Sequence, residues 1–353
     1  MKPKPVPIAP LVAAAVMATA LLSCSSPEAP PDVSTPPRAT PAAASSLSPA
    51  RVVDALEGKF GVHPGQRRNH TKGFCFSGQF RGTAAARALS RSALFGADPV
   101  PVLGRFSLAG GDPDAADNAP NNHGMALRFT LPGGALQQMA MLDIPMFDLA
   151  TPEGVLAKQL ATTADPATGK PDPAKLAAFE RQFPESLRLK QALAGQDRVP
   201  DGYQHDDFNS LHTFFLVDAT GKRAPVRWQF VPADGVQRLG SAAAQARGKD
   251  FLFASLQQRL QRGPVQWAMR VTVANPDDPL PDPSLAWSGP HRSIEAGTLS
   301  VDAVHAQAGG QCGAVNFDPM VLADGIAPSD DPVLRFRSPA YAVAVGRRMG
   351  EKR

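Results

Sequence analysis

Two short segments carry residue types suited to acid–base and ligand chemistry. The first reads Arg67-Arg68-Asn69-His70-Thr71-Lys72-Gly73-Phe74. Histidine, with an ordinary pKa of about 6.5, can take and return a proton near neutrality. His70 stands among arginines just before an apolar run, so it falls at the rim of an expected strand, where an imidazole can face a pocket. Read alone, the segment fits a surface or fully hydrogen-bonded histidine at least as well. The second reads Arg335-Phe336-Arg337-Ser338-Pro339-Ala340-Tyr341, followed by AVAVGRRMG. Ser338 before Pro339 is a helix-start signal, a capping hydroxyl with proline at the first helical position. Tyr341 then falls in the first turn, where the helix dipole favours an anion. Arg337, four residues earlier, can bring a guanidinium to the phenol. Both favour a phenolate, which is costly to bury unless a cation or metal balances it. A core tyrosine with a hydrogen-bonded hydroxyl is the plainer alternative. The chain has only two tyrosines, and Tyr203, expected in a loop, lacks this setting.

Other chemistries find little support. The seven histidines, at 63, 70, 123, 205, 212, 291 and 305, show no metal-ligand spacing. No H-E-x-x-H, C-x-x-C, G-x-S-x-G or P-loop is present, which argues against zinc, a serine-hydrolase elbow and a nucleotide cradle. The formal net charge is only +4, and Lys2 and Lys4 supply two of those charges. With no basic cluster, nucleic acid is not an expected partner. Three cysteines, at 24, 75 and 312, cannot build a disulfide framework. Cys75 and Cys312 are expected as two buried free thiols, although an oxidising compartment leaves pairing open.

These residues need a scaffold. At 353 residues and 43% hydrophobic, the chain can bury a sizeable core. Its 36 prolines, about twice the usual share of ~5%, argue against a helical bundle. From Gly73 onward, short apolar runs at 100–108, 124–131, 138–147, 212–217, 226–231, 265–274 and 294–304 are separated by turn residues. Strands this dense predict an antiparallel sheet or barrel. Helical spacing appears at 51–60, 153–163, 175–182, 186–194 and 250–262. The expected class is α+β, with a β-barrel at the centre and helices in long insertions.

The N-terminus reads as an export signal. Lys2 and Lys4 precede an apolar run from Ile8 to Leu22, then Leu21-Leu22-Ser23-Cys24, which resembles the lipobox of bacterial lipoproteins. The expected division is a signal peptide over 1–23, a Pro/Ser/Ala-rich linker over 24–50 and a folded domain over 51–353. The expected location is the periplasm, with Cys24 able to carry a lipid tether.

Taken in order, the motifs resemble the haem catalase superfamily, and most closely its short branch of catalase-related peroxidases. Arg67-x-x-His70-x-Lys72-Gly73 is similar to the distal-histidine segment. Arg105-Phe106-Ser107 with Ala109-Gly110 is similar to R-F-S-T-V-A-G. Pro200-Asp201-Gly202, His205 and His212-Thr213-Phe214 follow P-D-G…H…H-T-F. Phe317-Asp318-Pro319, Gly325-Ile326 and Pro328-Ser329 follow F-D-P…G-I-x-P-S, and Arg337-x-x-x-Tyr341 closes the series. The resemblance implies an eight-stranded antiparallel β-barrel of the haem-catalase type with helical insertions. It implies haem b, with Tyr341 as the axial phenolate on iron, kept ionised by Arg337. His70 would be the distal acid–base, taking a proton from the peroxide and returning it to the leaving oxygen. Ser107 would bind its other ring nitrogen. Arg67, Arg105 and Arg348 would pair with the haem propionates, and Phe317 would pack on the proximal side.

Three departures shape the expected activity. Where catalases carry a distal asparagine, the aligned text runs Ala140-Met141-Leu142-Asp143-Ile144-Pro145, without an amide. The phenylalanine over the distal haem face aligns near Val155. The chain ends twelve residues after Tyr341, so the family's C-terminal helical domain, its NADPH site and its interlocked tetramer are not implied. The expectation is a haem-dependent peroxidase that reduces organic hydroperoxides or hydrogen peroxide through an oxyferryl intermediate. Its partners are the hydroperoxide and a small or protein electron donor. The alternatives are a hydrogen-peroxide catalase, a fatty-acid hydroperoxide isomerase and a non-enzymatic haem-binding lipoprotein.

Overall fold

The structure, a computed structural model, describes residues 47–351. The signal reading, Cys24 and nearly all of the linker reading lie outside the described residues. Ser48 Oγ accepts from Arg51 N at 3.3 Å and Pro49 opens helix α1 (Pro49–Phe60), so the first helix starts two residues before the expected domain boundary.

The strands are β1 (Gly73–Gly82), β2 (Val100–Leu108), β3 (His123–Thr130), β4 (Leu136–Leu142), β5 (Val199–Pro200) and β6 (Phe208–Asn209). They continue with β7 (Phe214–Val217), β8 (Arg223–Pro232), β9 (Arg238–Leu239), β10 (Val265–Val273), β11 (Ser293–Ala306) and β12 (Ile326–Pro328). The pairing order β10-β11-β1-β2-β3-β4-β6-β8 closes on itself because β8 also pairs with β10. This is an eight-stranded antiparallel barrel, with β7 and β12 extending from β8. Closure removes free sheet edges. The expected strand at 138–147 stops at Leu142, because the chain turns there through Asp143, whose carboxylate accepts from His123 N.

Strand periodicity explains the core. In β10, Val265, Trp267, Met269 and Val271 are fully buried and point inward, while Gln266 and Arg270 face out. Phe74, Phe76, Phe80, Phe106, Met125 and Phe129 do the same for β1–β3. Tyr203 is buried among them rather than lying in an open loop. Its ring stacks on Phe106 at 4.5 Å between centroids. Each large apolar side chain so buried contributes roughly 1.5–3 kcal/mol.

On β2 the alternation fails in an informative way. Phe106 points into the barrel, yet the outward-facing Arg105 and Ser107 are also buried, at 3% and 4% exposure. Something covers the outside of the barrel there. After α1 the helices are α2 (Ala84–Arg87), α3 (Pro152–Ala161), α4 (Pro173–Gln182), α5 (Ser186–Ala192), α6 (Ser241–Gln245), α7 (Phe251–Leu260) and α8 (Pro332–Gly350). The cover is α1, α3 and α8, which pack on one another.

Helix α8 corrects one sequence expectation. Its cap is Asp331, whose Oδ1 accepts from Val333 N and Leu334 N, and Pro332 is the first helical residue. Asp331-Pro332 is the same type of start signal as Ser338-Pro339, about two helical turns earlier, and it wins. Pro339 lies inside the helix, and Ser338 Oγ instead donates to Asp318 Oδ2 at 2.5 Å. Tyr341 therefore sits in mid-helix, where the dipole of the helix start no longer acts.

The cysteines correct another. Cys75 on β1 and Cys312 form a disulfide, with Cα atoms 5.5 Å apart, rather than two free thiols. The chain after β11 folds back over the outer face of β1, which brings together residues 237 positions apart in sequence. Gly310 permits the approach, since a Cβ there would lie 2.6 Å from Cys75 Sγ. No helix among the described residues is long and apolar enough to cross a membrane.

Candidate active site

Register on the outer face of the barrel builds the floor of a cavity. Gly73, Ser107, Gly124 and Leu142 lie side by side across β1–β4, and Cys75, Arg105, Ala126 and Ala140 form the next row. Between the two polar positions the floor is glycine and alanine, which leaves a flat, shallow surface. Helix α8 forms the opposite wall. The cavity between them measures about 350 Å³, within the range of ~300–1,000 Å³ usual for small-molecule and cofactor sites. Arg67, His70, Arg105, Ser107, Phe317, Arg337, Tyr341 and Arg348 all line it.

His70 precedes β1, is half-buried, and faces the cavity. Its Nδ1 lies 3.1 Å from Ser107 Oγ, which leaves Nε2 for the cavity. Burial, then the Arg105, Arg337 and Arg67 guanidiniums, push its pKa down to about 3. The imidazole is therefore neutral at neutral pH and can act as a base. Gly124 makes room for the pair, because a Cβ there would sit 3.0 Å from Ser107 Oγ and 3.2 Å from His70 Nδ1.

On the helix wall, Arg337 Nη2 donates to the Tyr341 hydroxyl oxygen at 2.7 Å. One helical turn separates the two residues, so the pairing survives the shifted helix start. Behind it lies a buried pair that sequence reasoning left without a role: His212 Nδ1 is 2.6 Å from Asp331 Oδ2. The carboxylate that caps α8 thus also holds His212, and Arg337 is among the charges acting on that imidazole.

Three guanidiniums crowd one end of the cavity. Arg67 Nη2 donates to the carbonyls of Cys312 and Val315 at 3.0 and 2.7 Å, and its guanidinium lies 5.6 Å from the Phe317 ring centre. Arg105 Nε donates to Gln307 Oε1 at 2.8 Å and its Nη2 to Thr71 O at 3.0 Å. Gly73 clears a path for it, since a Cβ there would lie 2.6 Å from Arg105 Nη2. Burial, then Arg105 and Arg348, push the pKa of Arg67 down to about 8; burial is the largest cause for Arg105 too, which falls to about 10. A guanidinium stays charged in practice. The neighbouring guanidiniums add mutual repulsion to the cost of burial, and a bound dianion would balance that charge.

The remaining wall is apolar: Met141, Leu142, Ile144, Leu149, Val155 and Leu211 line it. The segment 140–145 does supply no amide, but Asn122 lines the same cavity from just before β3, with Oδ1 accepting from Arg198 Nη2 at 3.2 Å. Sequence reasoning missed Asn122, Asn69, Gln307 and the His212–Asp331 pair. Only Asp331-Pro332 left a readable signal. A further group, His123 with Asp143 and Asp206, converges in the interior although its members are far apart in sequence, and Arg198 and Arg238 cross-link it through ion pairs.

A donor set of one phenol oxygen beside a guanidinium, a neutral imidazole and three arginines suits a flat cofactor with two carboxylates and a metal. A family model described as Catalase matches residues 63–353. A catalase-related peroxidase of Synechococcus elongatus is 43% identical over 306 residues, covering 87% of this chain and 90% of that protein. One from Mycolicibacterium paratuberculosis is 36% identical over 307 residues, covering 87% and 96%. Among solved structures, catalase A from Saccharomyces cerevisiae superposes with a TM-score of 0.72 at 22% identity, over 81% of this chain and 61% of that one. A bacterial catalase gives 0.72 at 23% identity, over 91% and 64%. The chain thus spans less than two thirds of the solved catalases but nearly all of the two shorter proteins.

Proposed function

The chain belongs to the catalase family, and from that premise we propose that it is a haem-dependent peroxidase, reducing hydroperoxides with electrons from an external donor. The observation that carries the proposal is the joint placement of His70–Ser107 on the barrel floor and Arg337–Tyr341 on helix α8, on facing walls of one cavity. Tyr341 would hold the iron of haem b through its phenol oxygen. Arg67, Arg105 and Arg348 would bind the propionates, and the Gly124, Ala126 and Ala140 floor admits a flat ring. When bound, the haem supplies the iron-centred redox chemistry that cleaves the peroxide bond.

The protein's own part is proton handling and selection. His70, neutral and held by Ser107, accepts the proton of the incoming hydroperoxide and delivers it to the departing oxygen. Arg337 donates to the Tyr341 oxygen and so fixes its direction within the cavity. The apolar wall excludes water and suits hydroperoxides bulkier than hydrogen peroxide. We place the protein in the periplasm. The buried Cys75–Cys312 disulfide supports an oxidising compartment, since such bonds are rare in the cytosol.

The test is purified protein with haem, assayed for donor oxidation with an alkyl hydroperoxide and for oxygen release from hydrogen peroxide. Donor oxidation with little oxygen release is expected. Rapid oxygen release without donor turnover favours catalase activity, for which Asn122 in the cavity wall is the specific structural argument. Absence of both reactions from the haem-loaded protein overturns the proposal.

A further inference from the structure

His70 has a left-handed backbone, with φ of 55°, a conformation it shares with Leu211 alone among the described non-glycine residues. Sterics between Cβ and the backbone disfavour it. Something must hold it. The carboxamide oxygen of Asn69 accepts from His70 N at 3.0 Å and from Gly110 N at 2.9 Å. Thr71 N, on the other side of His70, donates to Gly110 O at 3.0 Å, and Thr71 Oγ1 donates to Arg67 O at 2.6 Å. Gly110 follows β2 by two residues and carries φ of 104°, which requires glycine. One residue after β2, Gly110, thus brackets His70 from both sides, while Ser107 of the same strand binds its ring. Backbone and imidazole are both referenced to one end of β2.

We propose that Asn69 is a positioning residue for the distal acid–base: it holds His70 in its left-handed backbone and so aims Nε2 into the cavity. The assignment rests on reading His70 as the acid–base group. The chemistry it requires is a side-chain oxygen acceptor with two lone pairs within reach of two amides. Asparagine provides it, alanine does not, and aspartate keeps an oxygen in the same place.

The test compares the parent, Asn69→Ala, Asn69→Asp and His70→Ala, each loaded with haem. Two rates are measured against pH: reaction with an alkyl hydroperoxide, and cyanide binding to the ferric protein. Hydrogen cyanide loses its proton on binding, so its rate reports the base without turnover. For Asn69→Ala both rates are expected to fall by up to ~10²-fold, the scale of a misplaced catalytic group, with haem occupancy and absorption spectrum unchanged. Asn69→Asp is expected to stay near the parent. Parental rates in Asn69→Ala, or equal losses in both Asn69 variants, overturn the assignment while a slow His70→Ala leaves the acid–base reading intact. A fast His70→Ala overturns that reading itself. If the alanine variant does not fold, Asn69→Ser, whose shorter hydroxyl reaches one amide at most, serves in its place with the same expected loss.

Discussion

Individual side chains in this cavity owe their chemistry to charges that the fold collects. Burial, then Arg105, Arg337 and Arg67, hold the His70 imidazole at a pKa of about 3, against an ordinary value of about 6.5. Activity that needs neutral His70 should therefore stay level from about pH 8 to about pH 5 and fall only as pH nears the lowered pKa. A stopped-flow profile that bends near pH 6.5 would contradict this. The stability sign follows from the same shift. Between the two pKa values the unfolded chain binds a proton that the folded chain does not, so this residue's contribution is full above about pH 6.5 and is lost on acidification. On the other wall, Tyr341→Phe removes the oxygen to which Arg337 donates. Haem retention should be lost or strongly weakened, and an unchanged absorption spectrum at full occupancy would remove the ligand assignment.

Elements supply what single residues cannot, namely flatness and direction. The floor is flat because β3 and β4 present Gly124, Ala126 and Ala140 outward while Met125 and Met141 fill the barrel. Gly124→Ala puts a methyl against Ser107 Oγ and His70 Nδ1 at 3.0 and 3.2 Å. It should leave the barrel folded yet slow the peroxide reaction, by about tenfold or more if His70 shifts by a fraction of an ångström. Equal rates with equal haem content would show that the ring has slack. For helix α8, direction comes from the Asp331 cap, which also grips His212. Asp331→Ala removes both, so its cost should exceed the ~1 kcal/mol of an ordinary cap, and urea denaturation measures it.

For the molecule as a whole, the disulfide ties the barrel to the segment that seats the arginines. Cys312 O accepts from Arg67, and Gln307, from the same returning segment, holds Arg105. Replacing Cys75 and Cys312 by alanine should lower stability by roughly 2–4 kcal/mol and quicken haem loss. Calorimetry and haem-transfer kinetics would check both, and unchanged haem loss would mean that the arginine cradle stands without the bond.

Much of this was legible in one dimension because local rules govern it. Turn residues and the short apolar runs between them marked most of the barrel strands. Arg337-x-x-x-Tyr341 survived the misplaced helix start because four residues make about one turn whichever proline begins the helix. The order of the motifs sufficed to suggest a haem-catalase barrel and to name eight site residues, every one of which lines the cavity. Other features depended on the closed sheet. The Cys75–Cys312 bond spans 237 residues, the His123–Asp143–Asp206 group comes from three separate segments, and the Asn69 bracket joins a pre-strand segment to the loop after β2. Strand register decides which outward side chains become neighbours, and helix packing decides which of them leave water. Sequence by itself determined which groups were available for the chemistry. Only the tertiary structure decided which met, at what distance and with what charge, because those depend on barrel closure and on the chain returning over its outer face.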